Sequence, residues 1–228
     1  MSTATLDRAL VERLVRAALA GQTNGRVNGH GANGKPKARP SLVVNVSARH
    51  CHVTQEDLER LYGKGHQLRP YKWLYQDGFF AAEETVTLIG PRQRMIGNLR
   101  ILGPCRDHTQ VELAFSDAIM LGLDIPVRKS GNIKDTPGAY LLGPAGMVRM
   151  EHGVIRHERH VHMGPEDAAG YGVRDGDRLH LRVKSDCSAV LEDLLVRVSA
   201  GAKLEVHLDT DEGNACDLPR ATKLELFR

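Results

Sequence analysis

The first residues that indicate chemistry are two histidine pairs, each with a single residue between its members. The pairs are His50 with His52 and His160 with His162. In a β-strand alternate side chains project from the same face, so both imidazoles of a pair can reach one metal ion. One such pair is weak evidence, because histidines without a ligand are commoner. Two pairs in similar surroundings are stronger evidence, and they predict a metal site.

Two imidazoles leave a metal ion short of ligands, so carboxylates or further histidines must complete each site. The candidates are Glu112, within the sequence TQVELAF, and His207, within LEVHLDTDEGN. A set of imidazoles and carboxylates suits Zn²⁺, with Fe and Mn as weaker alternatives. Cys51 lies between His50 and His52 and should face the opposite side of the strand, which predicts a packing role for its thiol.

A second polar region surrounds Glu112. Arg106 follows a Gly-Pro turn, and its guanidinium predicts either a clamp for a phosphate or carboxylate or a structural salt bridge. Cys105 as a nucleophile and His108 as a base are weaker interpretations, because a nucleophilic thiol needs a lowered pKa and a loop histidine is usually solvated. The basic loop 128–138 could meet an anion, although it lacks the pattern of a P-loop.

These residues lie in a chain whose pattern predicts many short strands and a few small helices. The predicted strands span 42–48, 85–90, 178–183, 191–199, 203–209 and 223–227, and the predicted helices span 54–63, 116–122 and 164–172.

The pattern R-H-x-H-x-x-x-E-D occurs twice, at 49–57 and 159–167, and a helix start follows each copy. Thr54 is the predicted N-cap of the first helix, and Pro165 is the predicted first residue of the second. We therefore predict a mainly β protein with short helices. Residues 41–144 and 145–228 should form two small related β-barrel domains around a pseudo-twofold axis.

The N-terminal part of the chain has a different composition. Residues 1–20 contain an amphipathic helical pattern over 6–20, and residues 21–40 are rich in Gly and Asn without an acidic residue, which predicts a flexible linker. A short apolar helix on a long linker predicts recognition of another protein, with docking on its own body as the alternative.

The net charge of +3 is unevenly distributed along the 228 residues. Residues 1–40 hold seven basic and two acidic residues, so the remaining chain carries a net charge of −2. This argues against nucleic acid as the main partner, because binding to its backbone needs a basic face. No apolar run approaches the roughly 20 residues of a membrane-spanning helix. Without an export signal or a CxxC motif, we expect a cytosolic protein with reduced thiols.

Several motifs resemble, in the same order, those of the PduL-type phosphate propanoyltransferases, the phosphotransacylases of bacterial microcompartments. They are SARHCHVT (47–54), GPCRDHTQVELAFSDA (103–118), RKSGNIKDTPG (128–138), RHVHM (159–163) and VHLDTDEGNA (206–215). The resemblance covers most of 41–228. It implies two small β-barrel domains and the reversible transfer of a short acyl group, propanoyl or acetyl, between coenzyme A and phosphate.

The resemblance also implies roles for individual residues. It implies two zinc ions and three ligands for each: His50, His52 and Glu112 for one, and His160, His162 and His207 for the other. It implies that Arg106 binds phosphate. It further implies that residues 6–20 are an encapsulation peptide that binds shell or core proteins in the microcompartment lumen. We also expect a homo-oligomer.

The residues alone leave two other functions open. A dinuclear zinc hydrolase acting on thioesters would use the same ligands to activate water instead of phosphate. A non-catalytic module would hold zinc in closed sites with four protein ligands. Because only three protein ligands are suggested for each metal, the sequence favours open, catalytic sites.

Overall fold

The computed structural model describes residues 42–228. The predicted helix in 1–20 and the linker over 21–40 lie outside these residues and stay predictions. The described part of the chain contains fifteen strands and four α-helices. Among these helices, none is long and apolar enough to cross a membrane.

Nine strands form one curled sheet, called here the first sheet. In spatial order it contains β7 (Val127–Arg128), β10 (Val154–His157), β6 (Gln110–Glu112), β2 (His50–His52), β5 (Met95–Gly103), β4 (Phe80–Ile89), β8 (Ala139–Leu142) and β9 (Met147–Met150), while β3 (Pro70–Trp73) pairs with β4. Over most of its length β4 alternates between buried and more exposed residues, as expected for a strand with one face on a core.

The other six strands form the second sheet. In spatial order it contains β1 (Val43–Val46), β14 (Glu205–Leu208), β11 (His160–Met163), β13 (Ala189–Val198), β12 (Arg178–Lys184) and β15 (Lys223–Phe227). The predicted mainly β architecture, with two small barrel-like sheets and short helices, is confirmed.

Each sheet covers its own hydrophobic core. The strands do not follow the order of the chain, because β1 joins the second sheet while β9 and β10 return to the first. The predicted domains, 41–144 and 145–228, therefore exchange strands, and their division into separate domains stays a prediction.

The helices are α1 (Gln55–Tyr62), α2 (Phe115–Leu121), α3 (Pro165–Tyr171) and α4 (Thr210–Ala215), with a 3-10 turn at Leu218–Arg220. The repeat behaves as predicted, since β2 leads into α1 and β11 leads into α3. The hydroxyl of Thr54 accepts a hydrogen bond from the backbone N–H of Asp57 at 3.0 Å, and Pro165 begins α3. The sequence analysis missed α4, although the pair Asp209 and Glu212 forms a capping box at its start.

Candidate active site

The first cluster consists of His50, His52 and Glu112. It forms because β2 and β6 are antiparallel neighbours, which places His50 directly opposite Glu112. The Nε2 atom of His50 lies 3.5 Å from one carboxylate oxygen of Glu112, and that of His52 lies 3.9 Å from the other. All three side chains are buried. The structure thus brings together the three residues predicted for one metal ion.

The second cluster consists of His160, His162 and His207. Strands β11 and β14 are antiparallel neighbours, and their register places His160 opposite His207. The three ring centroids lie 4.9 to 5.1 Å apart. In each cluster the potential ligand atoms all lie within 4.8 Å of one another. The second predicted ligand set is therefore also assembled by strand pairing.

Hydrogen bonds to the far side of the rings orient several of these imidazoles. The Nδ1 atom of His50 lies 2.8 Å from the carbonyl oxygen of Ala48, and that of His160 lies 2.7 Å from the carbonyl oxygen of Glu158. Because a carbonyl only accepts, Nδ1 carries the proton and Nε2 keeps its lone pair for the cluster. The Nδ1 atom of His207 is bonded to the hydroxyl of Ser47 at 2.9 Å, so its Nε2 atom also faces the cluster.

Burial sets the charge of both clusters. It lowers the pKa values of His50, His52 and His160, and it lowers that of His162 to about 4. Burial acts to raise the pKa of Glu112, but the neighbouring imidazoles and the hydroxyl of Ser130 hold it well below its usual range. Neutral imidazoles and an ionised carboxylate are the forms in which these groups bind metals.

The donor sets fit a divalent metal ion such as Zn²⁺. Imidazole nitrogen and carboxylate oxygen are typical zinc ligands, and each cluster brings three of them together. The Nε2 atom of His207 is in addition buried without a hydrogen-bond partner. A buried polar atom of this kind is costly unless it has another use, and metal binding would supply one.

Arg106 lies beside the first cluster and is connected to it by hydrogen bonds through Ser130. Its guanidinium donates to the hydroxyl of Ser130 at 3.1 Å, and that hydroxyl donates to Glu112 at 2.7 Å. The amide of Gln110 donates to the same carboxylate at 2.6 Å. Within residues 42–228, Arg106 forms no ion pair with a carboxylate, which favours the anion clamp over a structural salt bridge.

Arg197 is a functional candidate that the sequence analysis missed. It lies on β13, and the parallel pairing with β11 places it beside His162. Like Arg106, it is without a carboxylate partner among the described residues. Burial lowers the pKa of each guanidinium, and the charge of Arg197 lowers that of Arg106 further. Two half-buried guanidinium groups without a carboxylate partner among the described residues indicate a site for an anion.

The two clusters and the two arginines line one cleft of about 860 Å³. The end of β3 contributes Trp73 to its lining, and the loop between β3 and β4 contributes Tyr75 and Phe79. The volume lies within the range of small-molecule sites, and the lining combines apolar rings with a few polar groups, as such sites usually do.

The remaining sequence candidates do not take part in this arrangement. Burial raises the pKa of the Cys105 thiol, which disfavours the nucleophilic thiolate, and Cys51 is fully buried as predicted. His108 is bonded to Asp107 at 2.5 Å and does not line the cleft. Of the loop 128–138, only Ser130 lines the cleft.

Comparison with known proteins identifies the family. A model of the phosphate propanoyltransferase family matches residues 43–219. Relatives named phosphate propanoyltransferase include one from Planctopirus limnophila, which is 55% identical over 98% of this chain and 92% of its own length. Another, from Thermotoga maritima, is 48% identical over 80% of this chain and 87% of its own length. The chain therefore belongs to the phosphate propanoyltransferase family of acyltransferases.

Proposed function

We propose that this protein catalyses the reversible transfer of a propanoyl or acetyl group between coenzyme A and phosphate, giving an acyl phosphate. Membership of the family supports the reaction. The observation that carries the proposal is the pair of half-buried arginines, Arg106 and Arg197, which line the same cleft as the two clusters and lack carboxylate partners among the described residues. The positive charge of the two guanidinium groups favours phosphate as the reactant over water alone.

The proposed metals are two zinc ions. The first cluster would hold one ion and the second cluster the other, in agreement with their donor sets. When bound, zinc would polarise the thioester carbonyl and offset the negative charge of the reactants.

The chain's own residues account for the positioning of phosphate. Arg106 and Arg197 bind its oxygens, and Ser130 fixes Arg106 through the hydrogen bond of 3.1 Å. One phosphate oxygen then attacks the thioester carbonyl carbon, the bond from carbon to sulfur breaks, and coenzyme A leaves as the thiolate. The raised pKa of Cys105 argues against a covalent acyl-enzyme formed on that thiol.

The first experiment measures the release of free coenzyme A thiol from propanoyl-CoA by the full-length protein. We expect release only when phosphate is present, and we expect a chelator to abolish it. Release without phosphate would instead support the thioester hydrolase. No release by the zinc-loaded protein would contradict the proposal.

A substitution separates phosphate binding from metal binding. Arg106→Ala should lower the phosphate-dependent rate by about 10²–10³-fold, the effect typical of removing one anion-stabilising group. It should keep both zinc ions, because Arg106 contacts Ser130 rather than the clusters. His160→Ala is the matched comparison, and it should lose zinc. Metal content by mass spectrometry decides, and zinc loss in the Arg106 variant would contradict the assignment.

We also propose that the protein works as a homo-oligomer in the lumen of a bacterial microcompartment. The support is the amphipathic pattern over residues 6–20, followed by the Gly/Asn-rich segment, together with the family resemblance.

A further inference from the structure

Gln110 is a buried amide between the first cluster and the loop 128–138. It lies on β6, two residues before Glu112, so the two side chains project from the same face of the strand. The side chain is completely buried. A buried polar side chain is costly unless its groups are hydrogen-bonded, so the partners of this amide indicate what it does.

Both ends of the Gln110 amide are engaged. Its nitrogen donates to Oε1 of Glu112 at 2.6 Å and to the hydroxyl of Ser130 at 3.0 Å. Its oxygen accepts a hydrogen bond from the backbone N–H of Gly131 at 2.8 Å. Because a backbone N–H only donates, the amide oxygen must face the loop and the amide nitrogen must face the carboxylate. The backbone of the loop therefore fixes the orientation of the amide.

The hydroxyl of Ser130 is bonded in every direction that it offers. It accepts hydrogen bonds from the guanidinium of Arg106 at 3.1 Å and from the amide of Gln110 at 3.0 Å. Its own proton is donated to Glu112 at 2.7 Å. Since a hydroxyl has one donor and two acceptor positions, all three are filled. The position of Arg106 and the position of Glu112 therefore depend on each other through this hydroxyl.

The two oxygens of Glu112 have different surroundings. Oε1 receives both hydrogen bonds, one from Gln110 and one from Ser130. Oε2 lies 3.5 Å from Nε2 of His50 and, among residues 42–228, receives no hydrogen bond. The two donors thus hold the carboxylate by one oxygen and leave the other directed toward the cluster.

We propose that Gln110 is a positioning residue that links metal binding to phosphate binding. It holds the carboxylate of Glu112 with Oε2 toward the first cluster. It also holds Ser130, and through that hydroxyl it holds Arg106 at the cleft. Gln110 itself does not line the cleft, so it acts on both reactant sites through other side chains. This inference rests on the proposed function, because it needs metal at the first cluster and phosphate at Arg106.

The test uses Gln110→Met in the full-length, zinc-loaded protein. Methionine is similar in length but forms none of the three hydrogen bonds. In a titration with a coloured chelator, retention of one zinc ion should weaken by about 10–100-fold, as is typical when the partner of a metal ligand is removed. The other zinc ion should be released as in the native protein.

The second measurement is the release of coenzyme A from propanoyl-CoA with zinc in excess. The KM for phosphate should rise by about 5–10-fold, the effect of about one lost hydrogen bond. The KM for propanoyl-CoA should stay at the native value. This separation of the two KM values is specific to a positioning role, since a general loss of structure would change both.

The matched control is Gln55→Met. Gln55 is a partly buried amide at the start of α1, which donates to the carbonyl oxygen of His66 at 2.8 Å and does not line the cleft. Its replacement should change neither zinc retention nor the KM for phosphate. Thermal unfolding of the zinc-free forms shows whether each variant folds. If Gln110→Met does not fold, Gln110→Asn replaces it; the amide is kept but shortened by one methylene, and both measurements should shift in the same direction.

The outcomes separate this inference from the proposed function. Native zinc retention or a native KM for phosphate in a folded Gln110 variant would overturn the inference and leave the proposed function intact. If the native protein retains no zinc or shows no phosphate-dependent release, the proposed function fails and the inference fails with it.

Discussion

The buried histidines of both clusters remain neutral where free histidine would begin to take up protons. Burial is the main cause in each of the four cases, and it lowers the pKa of His162 to about 4. A neutral imidazole loses no proton when a metal ion binds. Protons therefore compete with a metal ion for these histidines only at pH values below those at which free histidine takes up a proton.

The same shifts predict how the stability of the metal-free protein depends on pH. Unfolded histidines take up protons below about pH 6.5, whereas folded His162 does so only near pH 4. Since the unfolded state binds more protons in this window, the free energy of unfolding should fall as the pH falls from about 6.5 toward 4. Glu112 and Glu205, whose pKa values are lowered from 4.5, add a further loss below that value.

Urea unfolding of chelator-treated protein across this pH range measures the effect. His162→Gln should show a shallower decrease than the native chain, because it lacks one group that must take up a proton on unfolding. A urea midpoint that stays constant through the whole window would contradict the neutral, buried state of the histidines.

The sequence could identify some residues of the site but not others. The histidine pairs are visible because alternate residues of a strand share a face, so two neighbours in the sequence suffice. Arg197 and Glu205 reach the site only because the registers of β13 and β14 place each of them beside His162. Strand register is a long-range property, and no local motif surrounding these two residues indicates it.

Among the elements, α4 and β10 are joined by a buried charge network. Arg156 on β10 contacts Asp209 and lies 2.6 Å from Glu212, while Arg159 lies 2.8 Å from the same glutamate. Asp209 and Glu212 also form the capping box of α4, with hydrogen bonds of 2.7 and 2.9 Å. The network therefore fixes the helix that follows β14, the strand of His207, to a strand of the first sheet.

Removal of the central cation of this network should be strongly destabilising. Arg156→Met leaves the carboxylate of Asp209 buried without its cation, and we expect a loss of about 3–5 kcal/mol in the free energy of unfolding. Arg149→Ala is the matched control, since it removes an exposed arginine whose ion pair with Glu151 is worth about 0–1 kcal/mol. Urea unfolding at neutral pH measures both, and similar losses in the two variants would contradict a buried, essential network.

Sequence patterns predicted the other helices more readily than α4. Helices α1 and α3 follow the duplicated motif, and Thr54 and Pro165 mark their starts. The start of α4 was concealed because Asp209 and Glu212 lie within a motif interpreted for its histidine. The spacing of a capping box, with an acidic residue three positions after the N-cap, was the signal that could have identified it.

At the scale of the whole molecule, the chain consists of a body, residues 42–228, and an N-terminal segment for which we propose a separate function. In the body, residues 42–228, both hydrophobic cores and all cluster residues are present. The composition of residues 1–40 predicts such a division from sequence alone, and it stays a prediction. Which strands belong to which sheet was not predictable, because β1 pairs with β14, about 160 residues away.

The proposed role of the N-terminal segment predicts that binding and catalysis can be separated. In the full-length chain, Leu10→Glu with Leu14→Glu should abolish sedimentation with assembled microcompartment shells, because charge is placed on the apolar stripe. The phosphate-dependent release of coenzyme A should remain at the native level. Arg8→Gln, on the polar side, is the control that should still sediment. Sedimentation of the double variant with shells would contradict the proposed binding segment.

The exchange of strands between the sheets determines how this site can be inherited. The ligand strand β6 is bordered by β10, which comes from the C-terminal part of the chain, and β14 is bordered by β1, which comes from the N-terminal part. A gene fragment encoding either half alone would lack a strand next to its own ligand strand. Neither cluster is thus a module that recombination could transfer to another protein, and the two must persist, or be lost, together.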